Sequence, residues 1–493
     1  MWQNLARQQI LIILLAIGPT AFAQAPDALW STTFGGSNNE SGRDVQQTSD
    51  GGFIITGQYG FAGQLTSGDL WLIRTNGAGD ALWTKVYGGD GIDQGNAVQQ
   101  ISDGGYIVAG YTTSADGRNR DLWLLRTDAD GDTVWTRTLG GPATDQANGV
   151  QQTPDGGFII AGTTQSFGVG GTDVWLVRTD AEGDTLWTKT YGGPGGDGGN
   201  SIQQTSDGGF IVVGNFFSLA TGAPDVWQLR TDASGDTLWT KIYNGPYYPY
   251  SFDTGNSVQQ IPDGGFIIAG ETNGLPDTRN TEMWLIRTDA NGDTLWTKTY
   301  GGASTDRGYS VQQTSEGGFL LAGFSYDGTS NIDARLICTD ATGDTIWTKT
   351  FGGAGNDQFY AVRQTADGGL IISGFTSSYG AGGNDVWLLR LGPQTPTVVA
   401  APHSGLDQYR LSQNYPNPFN PVTTIQFELP RAELVALRVF DMHGHEVARL
   451  VNEKMPAGEH RVNFDARQLA SGIYLYQLRA GAFAQQRKLA LLK

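Results

Sequence analysis

The sequence predicts an all-β protein: a seven-bladed β-propeller closed by its N-terminal strand, followed by an immunoglobulin-like β-sandwich. Two observations predict the propeller, namely a Gly-Gly pair that recurs every 51–56 residues and an offset of this repeat at its two ends. The pair begins at Gly51, Gly104, Gly156, Gly208, Gly264, Gly317 and Gly368. Each repeat holds four strand-like pieces divided by turn signals, as a propeller blade requires.

The offset concerns the fourth piece of the repeat. The repeat region begins with a fourth piece alone, at residues 28–36, and the seventh repeat stops after its third piece, at residues 385–390. The first strand can therefore complete the last blade. Such closure pairs two strand edges that would otherwise favour aggregation.

The pieces also differ in polarity. Residues 122–125, in a third piece, are apolar at successive positions, as expected for a strand buried between neighbouring blades. First pieces carry Gln pairs, such as Gln99 and Gln100, which suit a water-filled central channel. The loops between first and fourth pieces vary, and they are therefore the expected recognition face.

The ends of the chain predict export and a second domain. Arg7, an apolar stretch at 10–16 and Ala21-Phe22-Ala23 indicate a signal peptide at residues 1–23. The propeller is predicted at 27–391, a linker at 392–408 and the last domain at 409–493. We expect no transmembrane segment in the mature chain. The lone Cys338 excludes an internal disulfide.

The charge balance disfavours nucleic acid as a partner. The chain has 49 acidic and 31 basic residues, a formal net charge of −18, and the acidic excess lies in the repeats. A phosphate backbone would be repelled by such a surface.

The hairpin between third and fourth pieces reads D-A-x-x-G-D-x-x-W in most repeats, as at Asp180, Gly183 and Trp187. It is similar to the tryptophan-docking motif of pyrroloquinoline-quinone propeller proteins, which implies that the Trp packs on the neighbouring blade. Those enzymes usually have eight blades and a vicinal Cys pair. Because this chain has seven repeats and one Cys, we expect no quinone cofactor.

Some hairpins resemble a calcium loop, with Asp128, Asp130 and Asp132 at alternate positions. Sister hairpins lose one acid, and calcium needs six or more oxygen ligands. Asp and Gly also suit a tight turn without metal. We therefore expect no metal or cofactor, with calcium as the open alternative.

Histidine and cysteine chemistry is not expected in the repeats. The four histidines, His403, His443, His445 and His460, lie after them, which excludes a His-based triad or zinc site there. We therefore expect a protein that binds an extracellular glycan or protein at its loop face. The alternative is a secreted polysaccharide hydrolase or lyase that uses two carboxylates.

Two groups of residues are candidates for a site. Aromatic residues in two loops suit a glycan or protein ligand: Phe216, Phe217, Tyr247, Tyr248, Tyr250 and Phe252. One acidic position precedes each first strand and would circle one mouth of the channel: Glu40, Asp93, Asp145, Asp197, Asp253, Asp306 and Asp357. These carboxylates either bond N–H groups of their own loops or attract a cation.

The last 80 or so residues carry a second set of motifs. They include Tyr415-Pro416-Asn417-Pro418-Phe419, a turn at Gly444, and Gly472 with Tyr474. These blocks closely resemble the type A sorting domain of type IX secretion substrates in Bacteroidota. The resemblance implies an immunoglobulin-like sandwich, passage through the outer membrane with the translocon and sorting machinery as partners, and a secreted or surface location. An accessory sandwich that binds carbohydrate is the alternative.

Overall fold

The computed structural model describes residues 25–393 except 62–67, 114–118, 246–250, 274–280, 303, 327 and 329–330, and residues 409–492 except 412–413, 415–416, 418, 457 and 482. The chain divides into two compact units, whose described parts are 25–393 and 409–492. Both are all-β, with no helix in the ranges just given. The predicted signal peptide and nearly all of the predicted linker fall outside these ranges.

The first unit contains 28 strands of four kinds within its described residues. First strands are β2 (Asn39–Gln47), β6 (Gln94–Gln100), β10 (Asp145–Gln152), β14 (Gly198–Gln204), β18 (Thr254–Gln260), β22 (Asp306–Gln313) and β26 (Asp357–Gln364). Second strands are β3 (Phe53–Phe61), β7 (Tyr106–Thr113), β11 (Phe158–Thr164), β15 (Phe210–Ser218), β19 (Phe266–Asn273), β23 (Phe319–Tyr326) and β27 (Leu370–Thr376).

Third strands are β4 (Asp69–Thr75), β8 (Arg120–Thr127), β12 (Asp173–Thr179), β16 (Ala223–Thr231), β20 (Thr281–Thr288), β24 (Ile332–Thr339) and β28 (Asp385–Leu391). Fourth strands are β5 (Ala81–Tyr87), β9 (Thr133–Leu139), β13 (Thr185–Tyr191), β17 (Thr237–Tyr243), β21 (Thr294–Tyr300), β25 (Thr345–Phe351) and β1 (Ala28–Phe34).

These strands form four-stranded antiparallel sheets in a propeller-like arrangement. Sheets 1 to 6 are consecutive sets of four, starting with β2-β3-β4-β5 and ending with β22-β23-β24-β25. Sheet 7 has the order β26-β27-β28-β1, so its fourth strand comes from the beginning of the chain. In that pair Thr32 lies opposite Leu388, and Phe34 lies opposite Val386.

Neighbouring sheets share apolar cores because their middle strands are buried on both faces, as the continuous apolar runs of the third strands predict. Between sheets 1 and 2, for example, Leu72 packs in one cluster with Val108. A core of the same kind joins sheet 7 to sheet 1, where Leu388 clusters with Val45 and Ile55.

In five of the six hairpins between third and fourth strands, the Trp contacts the hairpin of the next sheet. At Gly183, whose φ of +80° favours glycine, a Cβ would lie 2.8 Å from the Trp135 ring. Trp30 of β1 meets Gly79 of sheet 1 in the same way. The hairpin acids serve the turn itself, since Asp128 Oδ1 accepts hydrogen bonds from the backbone N–H groups of Asp130 (3.0 Å) and Asp132 (2.8 Å).

The second unit has two antiparallel sheets around one core. Its strands are β29 (Arg410–Leu411), β30 (Val422–Leu429), β31 (Glu433–Phe440), β32 (Glu446–Met455), β33 (Gly458–Asp465), β34 (Gly472–Ala480) and β35 (Phe483–Leu491). The sheets have the orders β29-β30-β33 and β32-β31-β34-β35. Phe427 and Phe464 of the first sheet cluster with Val439 and Tyr476 of the second.

Candidate functional site

Each first strand contains a β-bulge at the same place. In sheet 3 the pairing register jumps from Ala147 to Gly149, so Asn148 has no direct partner on β11. Glycine on the facing strand permits the close approach of the two backbones at the bulge, since a Cβ at Gly162 on β11 would overlap the Gln146 carbonyl oxygen. The residues skipped at the bulges are Arg43, Asn96, Asn148, Asn200, Asn256, Tyr309 and Tyr360. Bulges re-aim side chains and are common beside functional sites.

The bulge residues line a cavity of about 480 Å³ together with other residues of the first strands. Most lining side chains are polar and uncharged, including Gln99, Gln151, Ser201 and Ser257. The cavity is therefore an open polar site on the inner strands of the sheets.

Four of the bulge residues are asparagines that link neighbouring sheets. Asn96, Asn148, Asn200 and Asn256 each donate a side-chain hydrogen bond of 2.8–2.9 Å to a backbone carbonyl of the following sheet. These amides hold the inner strands at a fixed spacing. Their hydrogen bonds give them a role in the fold.

The other three bulge residues pack together in a group that we call the aromatic arc: Tyr309, Tyr360 and Arg43, from sheets 6, 7 and 1. The two tyrosine rings have centroids 5.3 Å apart. The Arg43 guanidinium carbon lies 4.4 Å from the centroid of the Tyr360 ring. Phe324 and Phe375 pack against the two tyrosines, with centroid distances of 5.9 and 6.0 Å. The arc is thus a preformed aromatic surface on one side of a polar cavity.

The Gln pairs of the first strands connect each sheet to both neighbours. Gln99 Oε1 accepts a hydrogen bond of 2.6 Å from the Gln152 N–H of the next sheet. Gln100 Oε1 accepts one of 2.8 Å from the Ser49 N–H of the preceding sheet. Gln47 accepts the corresponding bond from Ala366, which joins sheet 1 to sheet 7. The pairs thus have a structural role that the sequence analysis did not assign to them.

Arg363 replaces the first Gln of the pair in sheet 7 and balances the buried Asp44 of sheet 1. Its Nη2 lies 2.9 Å from Asp44 Oδ1, and its Nη1 lies 3.2 Å from Ser310 Oγ. Asp44 also accepts backbone hydrogen bonds from Val45 and Val98. The Asp44 carboxylate is therefore fully engaged.

Tyr309 is a hydroxyl donor at neutral pH. Burial, and next the neighbouring Tyr360, raise the pKa of Tyr309 to about 12. The Arg307 guanidinium acts in the opposite direction, and its Nε lies 3.1 Å from Glu271 Oε2.

The seven acids predicted to circle the channel mouth are buried within their own loops. Each accepts a hydrogen bond from the backbone N–H of a glycine that precedes it, as Asp93 Oδ2 does from Gly89 at 2.9 Å. The other six are Glu40, Asp145, Asp197, Asp253, Asp306 and Asp357, with the same kind of bond at 2.6–3.1 Å. None of the seven lines the cavity described above. Binding of a cation by these acids stays a prediction.

Several of these acids have a second carboxylate as a neighbour at the start of the third strand. Burial, and next the Asp253 carboxylate, raise the pKa of Asp225 to about 6. Burial and the neighbouring Asp197 carboxylate likewise raise the pKa of Asp173. Within the described residues, no three His, Cys, Asp or Glu side chains come together as metal ligands.

Of the predicted loop aromatics, Phe216, Phe217 and Phe252 are described, whereas Tyr247, Tyr248 and Tyr250 lie outside the described residues. Phe216 and Phe217 lie in strand β15 and not in a loop as predicted, because β15 and β16 stay paired as far as Ser218. Phe216 packs edge-on against Trp227 of its own sheet at 5.6 Å. Phe217 is half-buried, and its N–H donates to Asp197 Oδ1 at 2.7 Å. Phe252 is 55% exposed. The structure does not bring these three rings into the cavity with the arc.

The predicted sorting residues have structural positions in the second unit. The Phe419 N–H donates a hydrogen bond of 2.9 Å to the Ala490 carbonyl of β35, and the Phe419 carbonyl accepts one of 3.0 Å from the N–H of Leu492, the residue after β35. Asn417 Oδ1 accepts a bond of 2.8 Å from the Ala490 N–H. Gly444 has a φ of +86° in the turn before β32, and Gly472 and Tyr474 belong to β34. Tyr415, Pro416 and Pro418 lie outside the described residues.

Comparison with known proteins identifies the second unit. Residues 413–491 match the secretion system C-terminal sorting domain family. The chain is also 24% identical over 229 residues to the regulatory protein FlaEY of Caulobacter vibrioides, which covers 41% of this chain and 23% of that protein. The chain thus matches less than a quarter of the length of this relative.

Solved structures share only a distant likeness. One is PorZ, a surface component of the type IX secretion system of Porphyromonas gingivalis, with 12% identity over 90% of this chain and 69% of that chain and a TM-score of 0.31. Another is the WD40 domain of Neurospora crassa Pan2, with 8% identity over 73% of this chain and 96% of that chain and a TM-score of 0.44. Likenesses of this size support no conclusion about function.

The sorting domain determines the location of the protein. A chain that carries this module is recognised by the type IX secretion machinery, and the protein is secreted or displayed at the cell surface. Among the described residues, no helix is long and apolar enough to cross a membrane.

Proposed function

We propose that this protein is an extracellular binding protein that holds a carbohydrate against the aromatic arc. The proposal includes a signal peptide at residues 1–23, a closed seven-bladed propeller, and an immunoglobulin-like sandwich that the secretion machinery recognises during export. The observation that carries it is the convergence of Tyr309, Tyr360 and Arg43 in a polar cavity.

Closure of the propeller is supported by one strand pair within sheet 7 and by two contacts between sheets 7 and 1. Strand β1 pairs with β28, Gln47 accepts a hydrogen bond from Ala366, and Leu388 shares a core with Val45. Closure matters for function because Arg43 belongs to sheet 1 and Tyr360 to sheet 7. An open array would separate the two ends of the arc.

Carbohydrate suits the cavity because sugars present both apolar C–H faces and hydroxyl groups. An aromatic ring packs on the apolar face, while amide and hydroxyl side chains exchange hydrogen bonds with the hydroxyls. The arc supplies the rings, and Gln151, Ser201 and Ser257 supply hydrogen-bonding groups.

Hydrolysis by two carboxylates is the second candidate, and the cavity favours binding over it. A glycosidase places two Asp or Glu side chains about 5–10 Å apart across the bond that it cleaves. Among the described lining residues of this cavity, Asp44 is the one Asp or Glu, and it is engaged by Arg363.

We expect Tyr360→Ala to weaken glycan binding about 30-fold, because central aromatic contacts often contribute about 2 kcal/mol. The measurement is a glycan array followed by calorimetry on the full mature chain. Phe252→Ala is the matched control, since this exposed loop aromatic lies outside the cavity. Loss of binding in Phe252→Ala but not in Tyr360→Ala would place the site on the loop face. Turnover of a polysaccharide by a wild-type chain that binds no glycan would favour the enzyme.

A further inference from the structure

Arg43 differs from the other cavity cation in its partners. Arg363 pairs with Asp44, whereas no ion pair among the described residues includes Arg43. Its guanidinium stacks on Tyr360, and its Nε is buried with no hydrogen-bond partner among the described residues. Within the described residues the two terminal Nη groups of Arg43 make no hydrogen bond or ion pair, so Arg43 is a preoriented cation whose Nη donors, and not its buried Nε, are available to a ligand.

The charge of the cavity is opposite to that of the whole chain. Its described lining contains three charged residues, namely Arg43, Arg363 and Asp44, and the last two neutralise each other. The chain as a whole has a formal net charge of −18. A neutral ligand that displaced water from Arg43 would leave a buried cation without a counter-charge, which is unfavourable.

We propose that the carbohydrate bound at the arc carries a carboxylate, as a uronic acid does, and that Arg43 forms a two-bond ion pair with it. This inference rests on the proposed carbohydrate-binding function. A planar guanidinium matches a planar carboxylate through two parallel N–H···O bonds. Tyr360 fixes the plane of the guanidinium, and the sugar ring that bears the carboxylate stacks beside it on the arc.

The acidic exterior does not prevent this pairing. Exposed charges are screened beyond about 8 Å at physiological ionic strength, whereas a contact inside a cavity is screened much less. The acids closest in sequence to Arg43 are already engaged, since Glu40 accepts N–H bonds from Gly36 and Gly60, and Asp44 pairs with Arg363.

The test is calorimetry on the full mature chain with trisaccharides of galacturonic, glucuronic and mannuronic acid. Each trisaccharide is compared with its carboxyl-reduced counterpart, and sulfated galactan oligosaccharides form a separate arm. We expect at least one acidic trisaccharide to bind about tenfold or more tightly than its reduced form, since hydrogen bonds to charged groups are the stronger ones.

Arg43→Gln should remove this preference while leaving weak binding of the reduced sugar through the tyrosines. Arg43→Lys should restore only part of it, because an ammonium group lacks the planar pair of donors. Arg120→Gln is the matched control: Arg120 also stacks on a tyrosine, Tyr111 at 4.3 Å, but it is exposed and does not line the cavity. It should retain the preference.

The outcomes separate the two proposals. Equal binding of acidic and reduced sugars by the wild-type chain would overturn the proposal that the ligand carries a carboxylate, but it would not affect the proposal of a carbohydrate site. A preference for sulfated sugars, or one that survives in Arg43→Gln, would also overturn it. Absence of binding to any sugar in the panel and on the glycan array would overturn the proposed function as well. Melting temperatures of all variants show whether each one is folded.

Discussion

Deletion of residues 409–493 should stop export across the outer membrane and leave the repeat unit in the periplasm. The reason is that the sorting match lies at residues 413–491, within the deleted segment. In the intact chain this segment is a folded unit with its own core, so a single deletion removes the whole signal. The measurement is the distribution of the protein between periplasm, cell surface and medium, with protease treatment of whole cells to detect surface exposure.

Two controls make this result specific to the sorting domain. His443→Ala changes an exposed turn side chain outside the sorting core and should leave export intact. A periplasmic reporter fused to residues 409–493 should reach the surface or the medium. Export of the truncated chain at the wild-type level would contradict the assigned role of this unit.

Gly183→Ala should destabilise the repeat unit more than Gly208→Ala does. Both glycines have φ values in the left-handed region, +80° and +88°, so alanine at either position costs about 1–2 kcal/mol. At Gly183 the new Cβ would also lie 2.8 Å from the Trp135 ring, whereas at Gly208 it meets nothing within 4 Å. Overpacking of this kind adds about 1–3 kcal/mol.

Thermal unfolding of the two variants beside the wild-type chain checks this difference. A lower melting temperature for Gly183→Ala than for Gly208→Ala is the expected order. Equal melting temperatures would mean that the Trp135 ring does not rest on the next hairpin.

Much of the fold was accessible from local patterns. Gly-Gly turns and apolar third pieces predict strands, and residues 122–125 lie within β8, because turn chemistry and burial act over a few residues. The sorting motifs predict the family at the C terminus, which the match to residues 413–491 confirms.

The aromatic arc was missed, although the sequence holds a signal for it. Aligning the repeats on their Gln pairs shows Asn three residues before the first Gln in four repeats. Arg43, Tyr309 and Tyr360 stand at the same position in the other three repeats, the last of which has Arg363 in place of the first Gln. Only the arrangement of the sheets brings these exceptions together, because they are separated by 51 residues or more along the chain. The bulges that aim them into the cavity depend on close backbone contacts at glycines such as Gly162, which local patterns do not reveal.

For the seven acids that precede the first strands, the sequence shows a clear pattern but does not decide between two structural roles. Their periodic spacing is plain in the sequence, but a carboxylate such as Asp93 has the same spacing whether it faces a channel or its own loop. The hydrogen bond from Gly89 depends on the path of the backbone between them.

Pairing of β1 with β28 is the feature on which the arc depends, and amide hydrogen exchange of the full mature chain measures it without any substitution. Residues 28–34 should exchange as slowly as β9, which holds the same outer position in sheet 2. Exchange of residues 28–34 at the rate of an unstructured segment, with β9 protected, would mean that sheet 7 lacks its fourth strand and that the ring is not closed.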